Sequence, residues 1–440
     1  MSRILIHFNF LDIASQRLNF MHKKIVLPNG LRLILVPMKG SPSTAVLVLF
    51  GVGSKYETKN ISGISHFLEH MFFKGTKKRP NTLAISEFLD RVGGEYNAFT
   101  SKELTGYWAK VASEYTDLAF DWVSDILLNS KFDEGEINRE RGVITEEINM
   151  TFDNPMRYVV TLWEELLYGD QPAGWEVLGT KESVAKISRQ QFVDYFNANY
   201  QTKNAVVCVA GKIDRGIEKK VLKYFGKMSK GEGGEKLSVR EEQKKPEVLL
   251  FNKKTDQTHL RLGVRGYDLF HKDRFALMLL SSILGGMMSS RLWISVREKK
   301  GLAYYVRTAV ENYTDSGYLV TGAGVANNKV EEAIEAILVE YRKIRDNKIP
   351  AAEVTKAKDN LRGSLLLGLE TSDELAGWVG MQELLRKEIL TPQQIFSKIK
   401  AVSATDLQRV ARDVFQPEKL NLALIGPFKG KEKFFKILKI

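Results

Sequence analysis

His66 and His70 stand four positions apart, with Glu69 beside the second of them, in Ser65-His66-Phe67-Leu68-Glu69-His70-Met71. On a helix, residues four apart lie one above the other on one face, so the two imidazoles can grip a single metal ion. Glu69 then sits next to the pair, where its carboxylate can take a proton from water polarised by that ion. The order His-x-x-Glu-His is the inverted form of the commoner zincin motif. A lone histidine is usually a structural residue. Two of only six histidines at this spacing, with a glutamate between them, reverse that expectation.

A metal held by two histidines needs a further protein ligand and one open position. The remaining histidines are poor candidates, because His7 and His22 are N-terminal while His259 and His271 lie in the second half. A carboxylate fits better. Residues 137–150 read as a helix carrying Glu140, Glu146 and Glu147. Glu140 and Glu147 share a face with Ile137, Ile144 and Ile148. A carboxylate on such a face is costly unless something cationic meets it. Glu146 falls on another face, itself partly apolar through Val143 and Met150, so spacing favours Glu147 over Glu146 only mildly.

The elements that must position these residues follow from hydrophobic pattern and turn chemistry. Residues 24–37 read as two strands around an Asn29-Gly30 turn, and 45–51 as a third strand. The histidine helix ends near Lys74-Gly75-Thr76. A helix at 85–92 and paired strands at 95–100 and 105–109 follow. Helices are then expected at 115–128, at 133–150 and onward to about 199, before a strand that closes at Gly211. Residues 229–246 are glycine-rich and charged with little to bury, the composition of a linker. Beyond it the pattern restarts with strands at 248–252 and 259–264 and a helix at 274–284. Strands at 303–310 and 318–323, helices at 330–345 and 351–369, and a last strand at 420–425 complete it. The expectation is an α+β fold of two similar halves, 21–228 and 247–440, each a sheet with packed helices.

Composition narrows the class. At 440 residues the chain is long enough for two domains with their own cores. The net charge of +12 arises from 65 basic residues interleaved with 53 acidic ones, without a nucleic-acid motif, and reads as a solvated surface. No apolar run is long enough to span a bilayer. The single cysteine, Cys208, lies in an apolar run; it excludes an internal disulfide framework and reads as a buried strand residue. Residues 1–20 lack a clean apolar core and a small-residue cleavage site. They form an unassigned extension, with a cytoplasmic location as the default and an organelle-targeting segment as the alternative.

His66-Phe67-Leu68-Glu69-His70 followed by Lys74-Gly75-Thr76 resembles the active-site helix of the pitrilysin/insulinase metallopeptidases, most closely the mitochondrial-processing-peptidase-like branch. Glu140-Arg141-Gly142-Val143-Ile144-Thr145-Glu146-Glu147 is similar to that branch's glutamate segment. The resemblance implies one zinc ion per chain held by His66, His70 and Glu147, with Glu69 as general base and Glu140 as a supporting carboxylate. Asn97-Ala98-Phe99-Thr100-Ser101 resembles the edge strand that takes an extended peptide as an added strand, which implies substrate contacts at Asn97, Ala98 and Phe99. Gly285-Gly286-Met287-Met288-Ser289-Ser290-Arg291-Leu292 and Arg297-Glu298-Lys299-Lys300-Gly301-Leu302-Ala303-Tyr304 resemble the family's C-terminal signature, in which Arg297 and Tyr304 reach the substrate. Without that pattern, Arg297 reads as a solvated helix end and Tyr304 as core. The implied activity is endopeptidase action on peptides or unfolded polypeptide segments. The implied architecture is half of a clamshell, completed as a homodimer or as a heterodimer with a related subunit, without nucleic acid or membrane. The alternative is a non-catalytic, chamber-forming subunit or a peptide-binding assembly module.

Overall fold

A computed structural model describes residues 22–440; the reading of residues 1–20 as an extension lies outside the described residues. The chain enters through β1 (Lys23–Val26) and turns at Asn29-Gly30 into β2 (Arg32–Pro37). Gly30 adopts φ +88°, the left-handed conformation that glycine accepts without a steric penalty. With β3 (Ser43–Phe50), β4 (Glu95–Thr100), β5 (Thr105–Ala112) and β6 (Ala205–Gly211) these form a six-stranded sheet in the order β1-β2-β6-β3-β5-β4.

Residues 229–246 carry no helix or strand. The strands β7 (Glu247–Asn252), β8 (Gln257–Arg265), β9 (Ala303–Asn312), β10 (Gly317–Ala326) and β11 (Leu420–Gly426) then form a second sheet in the order β7-β11-β8-β10-β9. The two sheets repeat one plan. The pairs β2–β6 and β7–β11 are parallel, and the neighbours that follow them are antiparallel in both. Only β1 lacks a counterpart. The mixed α+β architecture of two sheets with packed helices is thus the one the sequence pattern leads to.

In β3 and β6 nearly every residue is buried, not every second one, because helices cover both faces of the sheet. One face of the first sheet packs on helices of its own half, including Ile64–Phe72 and Thr116–Leu128. The other face receives Leu375, Ala376, Val379 and Leu384 from helix Ser372–Arg386, which belongs to the second half of the sequence. The converse holds for the second sheet. Val159, Leu162, Trp163 and Leu167 of helix Pro155–Tyr168 pack against Val320, Ala423 and Ile425. Each half therefore lends one helix to the other's sheet.

The helix expected at 274–284 stops as an α-helix at Ser281 and continues as a wider π turn over Ser282–Gly286. Gly285 approaches β9 so closely there that a Cβ would lie 2.4 Å from Thr308 Oγ1. No helix among the described residues is long and apolar enough to cross a membrane.

Candidate metal centre

The histidine helix, Ile64–Phe72, starts at Gly63, which adopts φ +93°. A Cβ there would also lie 2.6 Å from Leu178 O, so backbone conformation and packing both call for glycine. Gly63 has no side chain to cap the helix. Glu57 does so instead, accepting the N–H of Gly63 at 2.7 Å and that of Ser65 at 2.8 Å, two of the donors a helix start leaves without partners. Burial pushes the Glu57 carboxyl up to about 7, against the downward pull of those two N–H groups.

Ile64, Phe67, Leu68, Met71 and Phe72 enter the core. Phe67 stands edge-on to Phe192 and Phe72 to Tyr107. Burying such side chains is worth about 1.5–3 kcal/mol each, and this fixes the rotation of the helix about its axis. His66 and His70 are thereby turned towards the helix Glu134–Asp153. Their Nε2 atoms lie 3.2 Å apart. Glu147 Oε2 lies 3.6 Å from each of them. Among the described residues this is the one group of three or more histidine, cysteine or acidic side chains placed to hold a metal ion.

The donor chemistry fits a divalent cation. Ligands about 2.0–2.2 Å from a tetrahedrally coordinated zinc lie roughly 3.3–3.6 Å from one another, which is the spacing found. Burial, and after it the charge of His70, lower the His66 pKa to about 3, so that ring is neutral. Its Nδ1 is buried without a hydrogen-bond partner, while its Nε2 faces the cluster. His70 Nδ1 lies 2.8 Å from Glu140 Oε1. A proton held on Nδ1 by that carboxylate leaves the Nε2 lone pair free. Lys74 Nζ meets the other Glu140 oxygen at 2.6 Å. Burial alone would raise the Glu140 carboxyl, but hydrogen bonds from His70 and Lys74 outweigh it and hold the group below its ordinary value. Lys74 is the cationic company that a carboxylate on this face requires, and the His70 ring adds a hydrogen bond. Glu146 points elsewhere, towards Asn149.

Glu69 does not join the three converging atoms. Its Oε2 accepts the Thr100 hydroxyl at 2.5 Å. Burial raises the Glu69 carboxyl, while the Thr100 hydrogen bond draws it down. Thr100 ends β4, the outermost strand of the first sheet, which among the described residues pairs only with β5. On that strand the Ala98 N–H donates to Asn97 Oδ1 at 2.8 Å. Phe99 lies across Gly106, where a Cβ would stand 2.3 Å from its ring.

Arg297 and Tyr304 are not brought to this cluster within the chain. Arg297 lies in the π-helical segment Trp293–Lys299, its guanidinium stacked 4.0 Å over the Trp293 ring and 3.8 Å from Glu298. Tyr304, near the start of the outermost strand β9, is 77% exposed, which overturns the reading of its position alone as core. An apolar run predicts burial only when both faces of a strand are covered, and alternate β9 residues are open to solvent. His259 bonds Tyr305, and Cys208 is fully buried in β6. Three contributors escape sequence reasoning: Glu57, Lys74 and Thr100. Lys74 had a signal, being one helical turn beyond His70. Glu57 and Thr100 act through contacts that only the fold creates.

Residues 33–181, which hold His66, Glu69, His70, Glu140 and Glu147 together with Glu57, Lys74 and Thr100, match the family described as insulinase, peptidase family M16. Residues 186–361 match the peptidase M16 inactive domain. The uncharacterized zinc protease YmxG of Bacillus subtilis is 38% identical over 407 residues, covering 92% of this chain and 98% of its own. The chain belongs to the M16 peptidase family. An uncharacterized zinc protease of Streptomyces coelicolor, 34% identical, covers 93% of this chain and 90% of its own. Among solved structures, a protease from Helicobacter pylori superposes with a TM-score of 0.87 at 26% identity, covering 93% of this chain and 100% of its own. A peptidase M16 inactive domain from Pseudomonas fluorescens, at 19% identity, shares the fold with a TM-score of 0.84. The two M16 matches divide the chemistry unevenly, because the candidate cluster lies wholly in the first.

Proposed function

We propose that this M16 chain is a zinc-dependent endopeptidase of the processing-peptidase-like branch, cutting peptides or unfolded polypeptide segments. The observation that carries the reading is the convergence of His66 Nε2, His70 Nε2 and Glu147 Oε2 within 3.6 Å of one another, with the Glu69 carboxylate left outside the set. Two histidines and a glutamate with an open position are the donor set of catalytic rather than structural zinc. One zinc ion bound by His66, His70 and Glu147 would supply Lewis-acid polarisation of the peptide carbonyl and of water. Glu140 holds His70 in the tautomer that keeps its Nε2 lone pair available.

Glu69 accepts a proton from the attacking water and returns it to the leaving amine. The substrate lies along the open edge of β4, where its backbone takes the place of Asn97 Oδ1 at the Ala98 N–H and Phe99 flanks it. Arg297 and Tyr304 serve as substrate donors only if another chain presents them. The working unit is therefore a homodimer, or a heterodimer with a related subunit.

A peptide-library digest by purified protein, with and without chelator and analysed by mass spectrometry, tests the activity. Cleavage that stops with chelator and returns with zinc is expected. A zinc-replete chain that cuts nothing would leave it a non-catalytic subunit.

A further inference from the structure

Glu69 is tied to the strand that presents the substrate. Among the described residues its side-chain hydrogen-bond partner is Thr100, the last residue of β4, at 2.5 Å. Thr100 is itself held on a rigid frame. It pairs with Thr105 of β5. The two residues after it are pinned through their main chain: Ser101 O accepts Ser54 N–H at 3.1 Å and Lys102 O accepts Lys55 N–H at 2.8 Å. Ser101 N–H closes the turn on Leu104 O at 2.9 Å. A β-branched residue there has few side-chain rotamers, so the hydroxyl is fixed in direction as well as position.

A glutamate has three side-chain torsions, and the chain leaves Glu69 outside the group of converging metal donors. Something other than the metal must set where its carboxylate stands. We propose that Thr100 is the positioning residue for Glu69. Its hydroxyl holds the proton-carrying carboxylate at a constant offset from β4. The base and the peptide aligned on that strand then share one frame of reference. This rests on the endopeptidase reading and adds to it the residue that registers base against substrate. The alternative, that the hydroxyl merely satisfies a half-buried carboxylate, predicts no link to turnover.

The test compares wild type, Thr100→Ser and Thr100→Val, each loaded with zinc, on one quenched fluorescent peptide. Zinc per chain and melting temperature are measured alongside. Thr100→Val is expected to lower kcat by roughly 10- to 100-fold, the usual cost of a misplaced reacting group, with KM and zinc content unchanged. Thr100→Ser restores the hydroxyl and is expected to recover most of that loss. Wild-type kcat in Thr100→Val, a loss carried in KM or zinc content, or a Thr100→Ser variant as slow as Thr100→Val would each overturn the assignment.

A crystal structure of zinc-loaded Thr100→Val reads the tether without turnover. The Glu69 carboxylate is expected to leave its wild-type position, and finding it unmoved would end the proposal. A wild-type chain that holds zinc but cleaves nothing would sink the endopeptidase reading instead, with the crystallographic arm still deciding whether Thr100 places Glu69.

Discussion

Glu140 answers to two partners at once, one oxygen towards His70 Nδ1 and the other towards Lys74 Nζ. Removing it frees the His70 ring to rotate and to exchange its tautomer. Glu140→Ala is therefore expected to weaken zinc binding by roughly 10- to 100-fold while leaving the fold intact, as read by chelator competition and by circular dichroism. Glu69→Gln is expected to do the opposite. Zinc affinity should stay within the wild-type range while kcat falls by roughly 10²- to 10⁴-fold, as is typical when a general base is lost. At this scale the histidine pair was legible because helical period alone brings the rings together. Glu146 and Glu147 could not be separated well by spacing, since both faces of their helix carry apolar residues. What distinguishes them is direction: Glu147 faces the imidazoles, and Glu146 faces Asn149.

The histidine helix is only nine residues long, too short to be stable by itself, and its start is fixed by Glu57. Glu57→Ala leaves two buried N–H groups without acceptors and is expected to destabilise the fold by about 2–4 kcal/mol, measured by denaturant unfolding. The pH dependence of this cap has a definite sign. With its folded value at about 7 against an ordinary 4.5, the folded chain keeps a proton on Glu57 that the unfolded chain has released. Stability relative to Glu57→Gln is thus expected to fall as pH rises between those two values. Strand and helix positions were largely readable, because turn residues such as Asn29-Gly30 and alternating or continuous apolar runs mark them. The partner of each face was not. The unbroken apolar stretches of β3 and β6 require cover on both sides, but nothing local says that Ser372–Arg386 supplies it.

Across the molecule, a cluster centred on the buried Lys55 and Glu103 joins the first half, the connector and the second half. The Lys55 side chain, fully buried, contacts Glu103 at 2.9 Å and also Asp315. Lys236 contacts Glu103 at 3.0 Å and Asp315 at 2.5 Å. Glu103 further accepts both the N–H and the hydroxyl of Thr314. Burial alone would raise Glu103 and Asp315, but the two lysines outweigh it and hold both carboxyls below their ordinary values. Such groups stabilise the fold above their unfolded values, near 4.5 and 3.8, and that stability is lost as pH falls through the depressed ones. The cluster therefore fails on acidification, the reverse of the Glu57 cap. Lys55→Met, which strands two carboxylates around one remaining lysine, is expected to cost about 3–5 kcal/mol in urea melts at neutral pH.

The lent helices limit how this chain can breathe. Prising its two lobes apart would strip Ser372–Arg386 from one sheet and Pro155–Tyr168 from the other, laying bare apolar faces on both at the same time. In the dimer proposed above, a gate wide enough to admit a polypeptide would open between the two chains, each moving as a solid block. A protease nick within residues 229–246 should accordingly yield two fragments that still elute together from a gel-filtration column.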